Sequence, residues 1–211
     1  MKDKIIIYDF DGVICDSVNI KTEAFSFMYN RYGYNILKAV IDYHIENGGI
    51  SRYDKIRYFE SELLNRQISD ADIEILASEF SFLVKQKVIN SNYINGVIPF
   101  LKKNSSNYLQ YICTGTPEIE ILEILNERNL TNQFDGVYGS PKSKADIINN
   151  ILLETAIDKG RVIFFGDALT DYKAAKECGI SFVGIKNKET KFPPNTFLIN
   201  DFEDEDILKM F

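Results

Sequence analysis

Short apolar runs of strand length occur at residues 5–8, 108–113, 136–138, 162–165 and 181–185, with a shorter one at 197–199. Between most of them apolar residues fall at helical spacing, as in Ile119, Leu122 and Leu125, or Ile147, Ile148, Ile151 and Leu152. Strands alternating with helices predict βαβ units and a parallel sheet. The punctuation agrees. Thr116-Pro117 reads as an N-cap with proline at the first helical position, Ser143 as the next cap, and Gly179 as the end of a helix starting near Tyr172.

Residues 16–92 break this alternation. Their apolar positions are helical throughout: Phe25, Met28, Tyr29 and Tyr32, then Ile56, Phe59, Leu63 and Leu64, then Ile73, Leu76, Phe80, Leu83 and Val84. The expected architecture is therefore a doubly wound, Rossmann-like α/β core of residues 1–15 and 93–211, with an α-helical cap of residues 16–92 inserted after the first strand. Residues 201–206, rich in acid, read as the exposed start of a last helix.

Composition narrows the function classes. With 45% hydrophobic and 26% charged residues, the chain of 211 residues has the balance of a globular protein. A formal net charge of −7 argues against a general binder of nucleic acid or of anionic membranes, so an anionic substrate must meet a local basic patch. No apolar run is long enough to cross a bilayer, and the start lacks the long apolar stretch of a signal peptide, so a cytoplasmic enzyme or binding protein is expected. Cys15, Cys113 and Cys178 lack CxxC spacing and read as reduced core thiols.

Chemistry concentrates where strands end. Asp9 and Asp11 close the first strand, and Gly166-Asp167 with Asp171 closes the fourth. In a doubly wound sheet these two strands are neighbours, so the four carboxylates are expected to meet at the switch point. Converging carboxylates repel unless a cation neutralises them, and an all-oxygen set favours Mg2+ over zinc. Thr114 and Gly115 end another strand, where a hydroxyl, backbone N–H groups and a helix N-terminus make an anion cradle. Thr116 is read only as that helix's cap. Lys142 and Lys144 offer ammonium groups to the same rim.

These segments in this order, Asp9-Phe-Asp11-Gly-Val, Thr114, Lys144 and Gly166-Asp167 with Asp171, resemble the motifs of the haloacid dehalogenase superfamily, and a helical insertion after the first motif resembles its first cap type. The resemblance implies a magnesium-dependent phosphatase. Asp9 would attack phosphorus and become an aspartyl-phosphate, while Asp11 would protonate the leaving alcohol and then activate water. Asp9, Asp167 and the Asp11 carbonyl would hold the metal, with Asp171 supporting it or Lys144. Thr114, Gly115 N–H and Lys144 would bind the phosphoryl oxygens. The superfamily's dehalogenases lack the second carboxylate, which is present here as Asp11.

The cap loop Gly49-Ile-Ser-Arg52 resembles that of β-phosphoglucomutases and related phosphatases, which implies that Arg52 faces a small phosphorylated metabolite. Lys55 and the lone His44 read as a solvated position and a solvated or packed one. A mutase is the runner-up, weakened because residues 19–22 lack the histidine such mutases carry there. A non-catalytic metabolite or partner-binding protein is the third reading, and no catalytic carboxylate is missing to favour it.

Overall fold

The computed structural model describes residues 2–204. Six parallel strands form one sheet: β1 (Ile5–Tyr8), β2 (Leu109–Pro117), β3 (Gly136–Ser140), β4 (Val162–Gly166), β5 (Ser181–Ile185) and β6 (Leu198–Ile199), in the order β3-β2-β1-β4-β5-β6. The apolar runs mark all six. The chain winds outward from β1 to β3, then returns to β4 on the other side of β1, so β1 and β4 flank the point where the winding reverses.

Alternation along β1 explains its place. Ile6 and Tyr8 face one apolar layer and Ile5 and Ile7 the other, and all four are fully buried. Such a strand has no wet face, which is why it reads as an unbroken apolar run. The second layer is closed by α7 (Lys144–Thr155) and α8 (Leu169–Cys178), capped by Ser143 and ended by Gly179 at φ 72° as the sequence suggests.

Between β1 and β2 lie α1 (Val18–Tyr29), α2 (Tyr34–Glu46), α3 (Arg52–Tyr58), α4 (Asp70–Ile89) and α5 (Val97–Asn104). A π-helical turn, Phe59–Leu63, extends α3. Phe25, Phe59 and Phe80 pack ring against ring, with centroids 4.3 Å apart for Phe25–Phe80 and 5.3 Å for Phe25–Phe59. These rings join the apolar layer that Ile6 and Tyr8 of β1 face, so the inserted helices and that side of the sheet share one core. α4 opens with a complete capping box between Ser69 and Asp72, two orphan donors satisfied at once.

The inserted segment leaves and rejoins the sheet at one place. Asp16 N–H donates to Asn92 O at 2.9 Å, Ile94 N–H donates to Ile14 O at 3.0 Å, and Cys15 and Tyr93 form an antiparallel bridge between them. Arg128, on the loop after α6 (Glu118–Glu127), braces this crossing by donating to the carbonyls of Val88, Ile89 and Ser91.

Two sequence readings need comment. Thr116 does not cap α6: β2 continues to Pro117, which occupies the cap position, and the Thr116 hydroxyl turns to Asp11 instead. Residues 201–204 form a bend and turn, and the rest of the expected terminal helix lies outside the described residues. The three cysteines are buried and unpaired.

Candidate active site

Asp9 is the first residue past β1 and Asp167 the first past β4, so strand pairing sets the two carboxylates side by side. Oxygens of Asp9, Asp167 and Asp171 lie within 4.8 Å of one another, all buried. Gly12 permits this approach. Its φ is +73°, and a Cβ there would collide with the Asp167 carboxylate, so a side chain is both strained and blocked.

Lys144 bridges two of these acids, with its Nζ 2.7 Å from Asp9 and 2.5 Å from Asp171. It supplies one positive charge to three carboxylates. Burial raises the Asp9 pKa to about 6, with Lys144 opposing and Asp171 and Asp11 adding to the rise. Burial also pushes Asp167 well above the usual carboxylate range, aided by the charges of Asp171 and Asp9. Among the described residues the Asp167 carboxylate receives a side-chain donor only from Asn187, at 3.4 Å. A buried, all-oxygen, under-neutralised cluster of this kind fits a hard divalent cation. Asp171 also accepts the Ala168 N–H at 3.0 Å.

Asp11 faces another way. Its carboxylate pairs with Lys21 on α1, accepts the Ser17 hydroxyl at 2.6 Å and accepts the Thr116 hydroxyl at 3.2 Å. Burial acts to raise its pKa, but the Lys21 ammonium and these donors outweigh it and hold Asp11 below the usual carboxylate range. Lys21 is the residue that sequence reasoning missed. It lies twelve residues after Asp9 on the first inserted helix, where a lysine reads like any exposed helical cation.

Thr114 is buried, and its Oγ1 accepts the Thr116 N–H at 3.2 Å. Gly115 lies against the Gly49 carbonyl of the inserted loop, where a Cβ would collide. On the other side of the loop the Thr170 hydroxyl donates to the Gly48 carbonyl. The insertion is thus closed onto the sheet. Beneath it lies a cavity of about 120 Å³ that reaches Asp9, Asp11, Thr114, Gly115 and Asp167, with Lys21, Arg52 and Lys55 from the inserted helices. Of the two lysines after β3, Lys144 is buried in the cluster and Lys142 is exposed.

Arg52 also lines this cavity, with its charge already matched. Its guanidinium forks onto Glu120 of α6 at 2.5 and 2.8 Å, donates to Ser81 and lies 4.8 Å over the Phe80 ring. Removing one partner of a buried pair leaves the other stranded at roughly 3–5 kcal/mol. Arg52→Met should therefore lower the melting temperature by roughly 6–20 °C, at about 2–4 °C per kcal/mol for a chain this size. Arg52→Met with Glu120→Leu should recover most of it. Equal melting points for the single and double variants would show that the stranded Glu120 is not the cause.

Lys55 is not solvated as its helix spacing suggests. It is 3% exposed, and its Nζ donates to His44 Nδ1 at 2.9 Å and to His44 O at 3.2 Å. α3 buries Arg52, Lys55 and Ile56 and exposes Asp54 and Arg57, and helical spacing alone does not say that Arg52 and Lys55 lie on the buried side.

A family model described as haloacid dehalogenase-like hydrolase matches residues 6–185. The fold resembles a β-phosphoglucomutase from Clostridium difficile, at 18% identity and a TM-score of 0.78 over 98% of this chain and 94% of that one. It also resembles a predicted phosphoglycolate phosphatase from Haemophilus somnus, at 17% identity and a TM-score of 0.74 over 100% and 98%. A haloacid dehalogenase-like family hydrolase from Streptococcus pneumoniae is 21% identical, with a TM-score of 0.68 over 92% and 93%.

Proposed function

Because the chain belongs to the haloacid dehalogenase-like hydrolase family, we propose that it is a Mg2+-dependent phosphatase of a small phosphorylated metabolite. The observation that carries this reading is Asp9 held against Lys144 and Asp167 beneath a cavity whose rim also holds Asp11. Lys144 and the Phe10 N–H, which donates to Asp9 Oδ1 at 2.7 Å, fix the carboxylate that would attack phosphorus. The leaving alcohol departs as the P–O bond breaks, and Asp9 carries the phosphoryl group until water displaces it.

Asp11 is ionised in the arrangement described, which is the form that takes a proton from water in the second step. To serve as acid in the first step it must hold a proton, and loosening of the Lys21 contact by substrate would raise its pKa toward that form. Thr114, the Gly115 N–H and Lys144 would receive the phosphoryl oxygens. Asp9, Asp167 and the Asp11 carbonyl, supported by Asp171, would hold the Mg2+, which offsets the charge of phosphoryl group and carboxylates alike. The mutase reading gains nothing from the geometry: the hydrogen-bond partners of Asp11 are Lys21, Ser17 and Thr116, and His44 is bonded to Lys55.

Release of inorganic phosphate from a panel of phosphorylated metabolites, with Mg2+ and with excess chelator, tests the reading. Full activity in chelator would remove the metal from it. The pH dependence is a second check. A carboxyl whose pKa rises on folding destabilises the native state as pH climbs, because the unfolded chain releases its proton first. Without Mg2+, Asp9 should therefore cost stability between its unfolded value, about 4, and its folded value near 6. Millimolar Mg2+ should raise the melting temperature by several degrees at pH 7.5 and by much less at pH 5.5, where protons compete for the same oxygens. Asp167→Asn should abolish the gain; an unchanged gain in that variant would put the ion elsewhere.

A further inference from the structure

Four cationic side chains border the cavity or its acid cluster, and three of them meet carboxylates. Lys144 has Asp9 and Asp171, Lys21 has Asp11, and Arg52 has Glu120. Lys55 has none among the described residues. Its two acceptors both belong to His44, an imidazole that burial, and then the Lys55 charge, depress to about 2. That ring is neutral at any working pH. An ammonium has three N–H donors and no acceptor, so Nδ1 must be the bare nitrogen. Two donors are then used on His44, and the third has no acceptor among the described residues.

Resting on the phosphatase reading, we propose that Lys55 anchors a second anionic group of the substrate, carried on the leaving alcohol, and so selects phosphomonoesters with a carboxylate or a further phosphate at that end. The place suits the task. Lys55 comes from α3 of the insertion, whereas of the residues assigned to the phosphoryl group Thr114 and Gly115 lie near the end of β2 and Lys144 opens α7. Phe25, Ile45, Ile50 and Phe80 give the cavity an apolar lining, which suits a short carbon chain between two charged ends. Burial, and then Lys21, lower the Lys55 pKa to about 7, as expected for an ammonium deprived of both water and counter-ion. A bound anion would restore the missing partner.

The test uses three esters that differ at one end: 2-phosphoglycolate, ethane-1,2-diyl bisphosphate and the neutral 2-hydroxyethyl phosphate. The wild-type enzyme should favour one of the two anionic esters over the neutral one by at least tenfold in kcat/KM, and the preferred one identifies the anion. Lys55→Met and Lys55→Gln should lower kcat/KM for that ester roughly ten- to a hundredfold more than for the neutral one, chiefly through KM. Lys55→Arg, which keeps the charge, should retain part of the preference. Hydrolysis of the neutral ester with no anionic preference, or equal losses on all three in both neutral variants, would overturn the role of Lys55 and leave the phosphatase standing. No hydrolysis of any of the three, nor of p-nitrophenyl phosphate, would overturn both.

Discussion

Asp9→Asn is expected to lower phosphomonoester turnover by roughly 10⁵-fold or more, the scale seen when an enzyme loses its nucleophile. The amide has nearly the same shape, but its nitrogen cannot form the phosphoryl ester and it no longer offers a charged oxygen to a cation. Loss of folding is not expected. The amide oxygen can still accept the Phe10 N–H, Lys144 keeps Asp171, and a buried acid with a pKa near 6 is replaced by a neutral group. The informative pair of measurements is therefore phosphate release beside thermal unfolding. A folded variant with wild-type turnover would remove Asp9 from the reaction, and one that has lost both activity and structure would call for Asp9→Ser.

Asp11→Asn should cost roughly 10²- to 10⁴-fold, the range of general acid–base assistance, and unequally across substrates. An alkoxide leaves badly without a proton, whereas p-nitrophenolate hardly needs one. The expected signature is a steeper dependence of rate on leaving-group pKa, with the larger loss on alkyl phosphates. A uniform loss would instead indicate that Asp11 acts through its contacts with Lys21, Ser17 and Thr116, holding the insertion near the sheet.

The parallel sheet was legible because a strand buried on both faces carries an uninterrupted apolar run, clearest in β1 and in Val162 to Phe165 of β4. The meeting of Asp9 with Asp167 followed from winding order alone, since order decides which strand ends are neighbours. Side-chain direction was not legible. Thr116 stands where a cap is normally found, and only the extension of β2 through Pro117 turns its hydroxyl toward Asp11. Lys21, Lys55 and Arg52 sit at helix positions whose spacing resembles that of any wet surface. What buries Arg52 and Lys55 and half-buries Lys21 is the closure of the insertion over strand ends far away in sequence, a contact that no local pattern encodes.

The single crossing between insertion and sheet has an evolutionary consequence. The chain enters and leaves the inserted helices through one short doorway, where two hydrogen bonds join Asp16 to Asn92 and Ile14 to Ile94 and Cys15 bridges Tyr93. A stretch with such adjacent ends can be lengthened, shortened or exchanged by one recombination event without altering the order of the strands or the alignment of their terminal acids. Selection can then act on the lid as an interchangeable cassette, varying which molecules are admitted while the bond-breaking apparatus below is inherited intact.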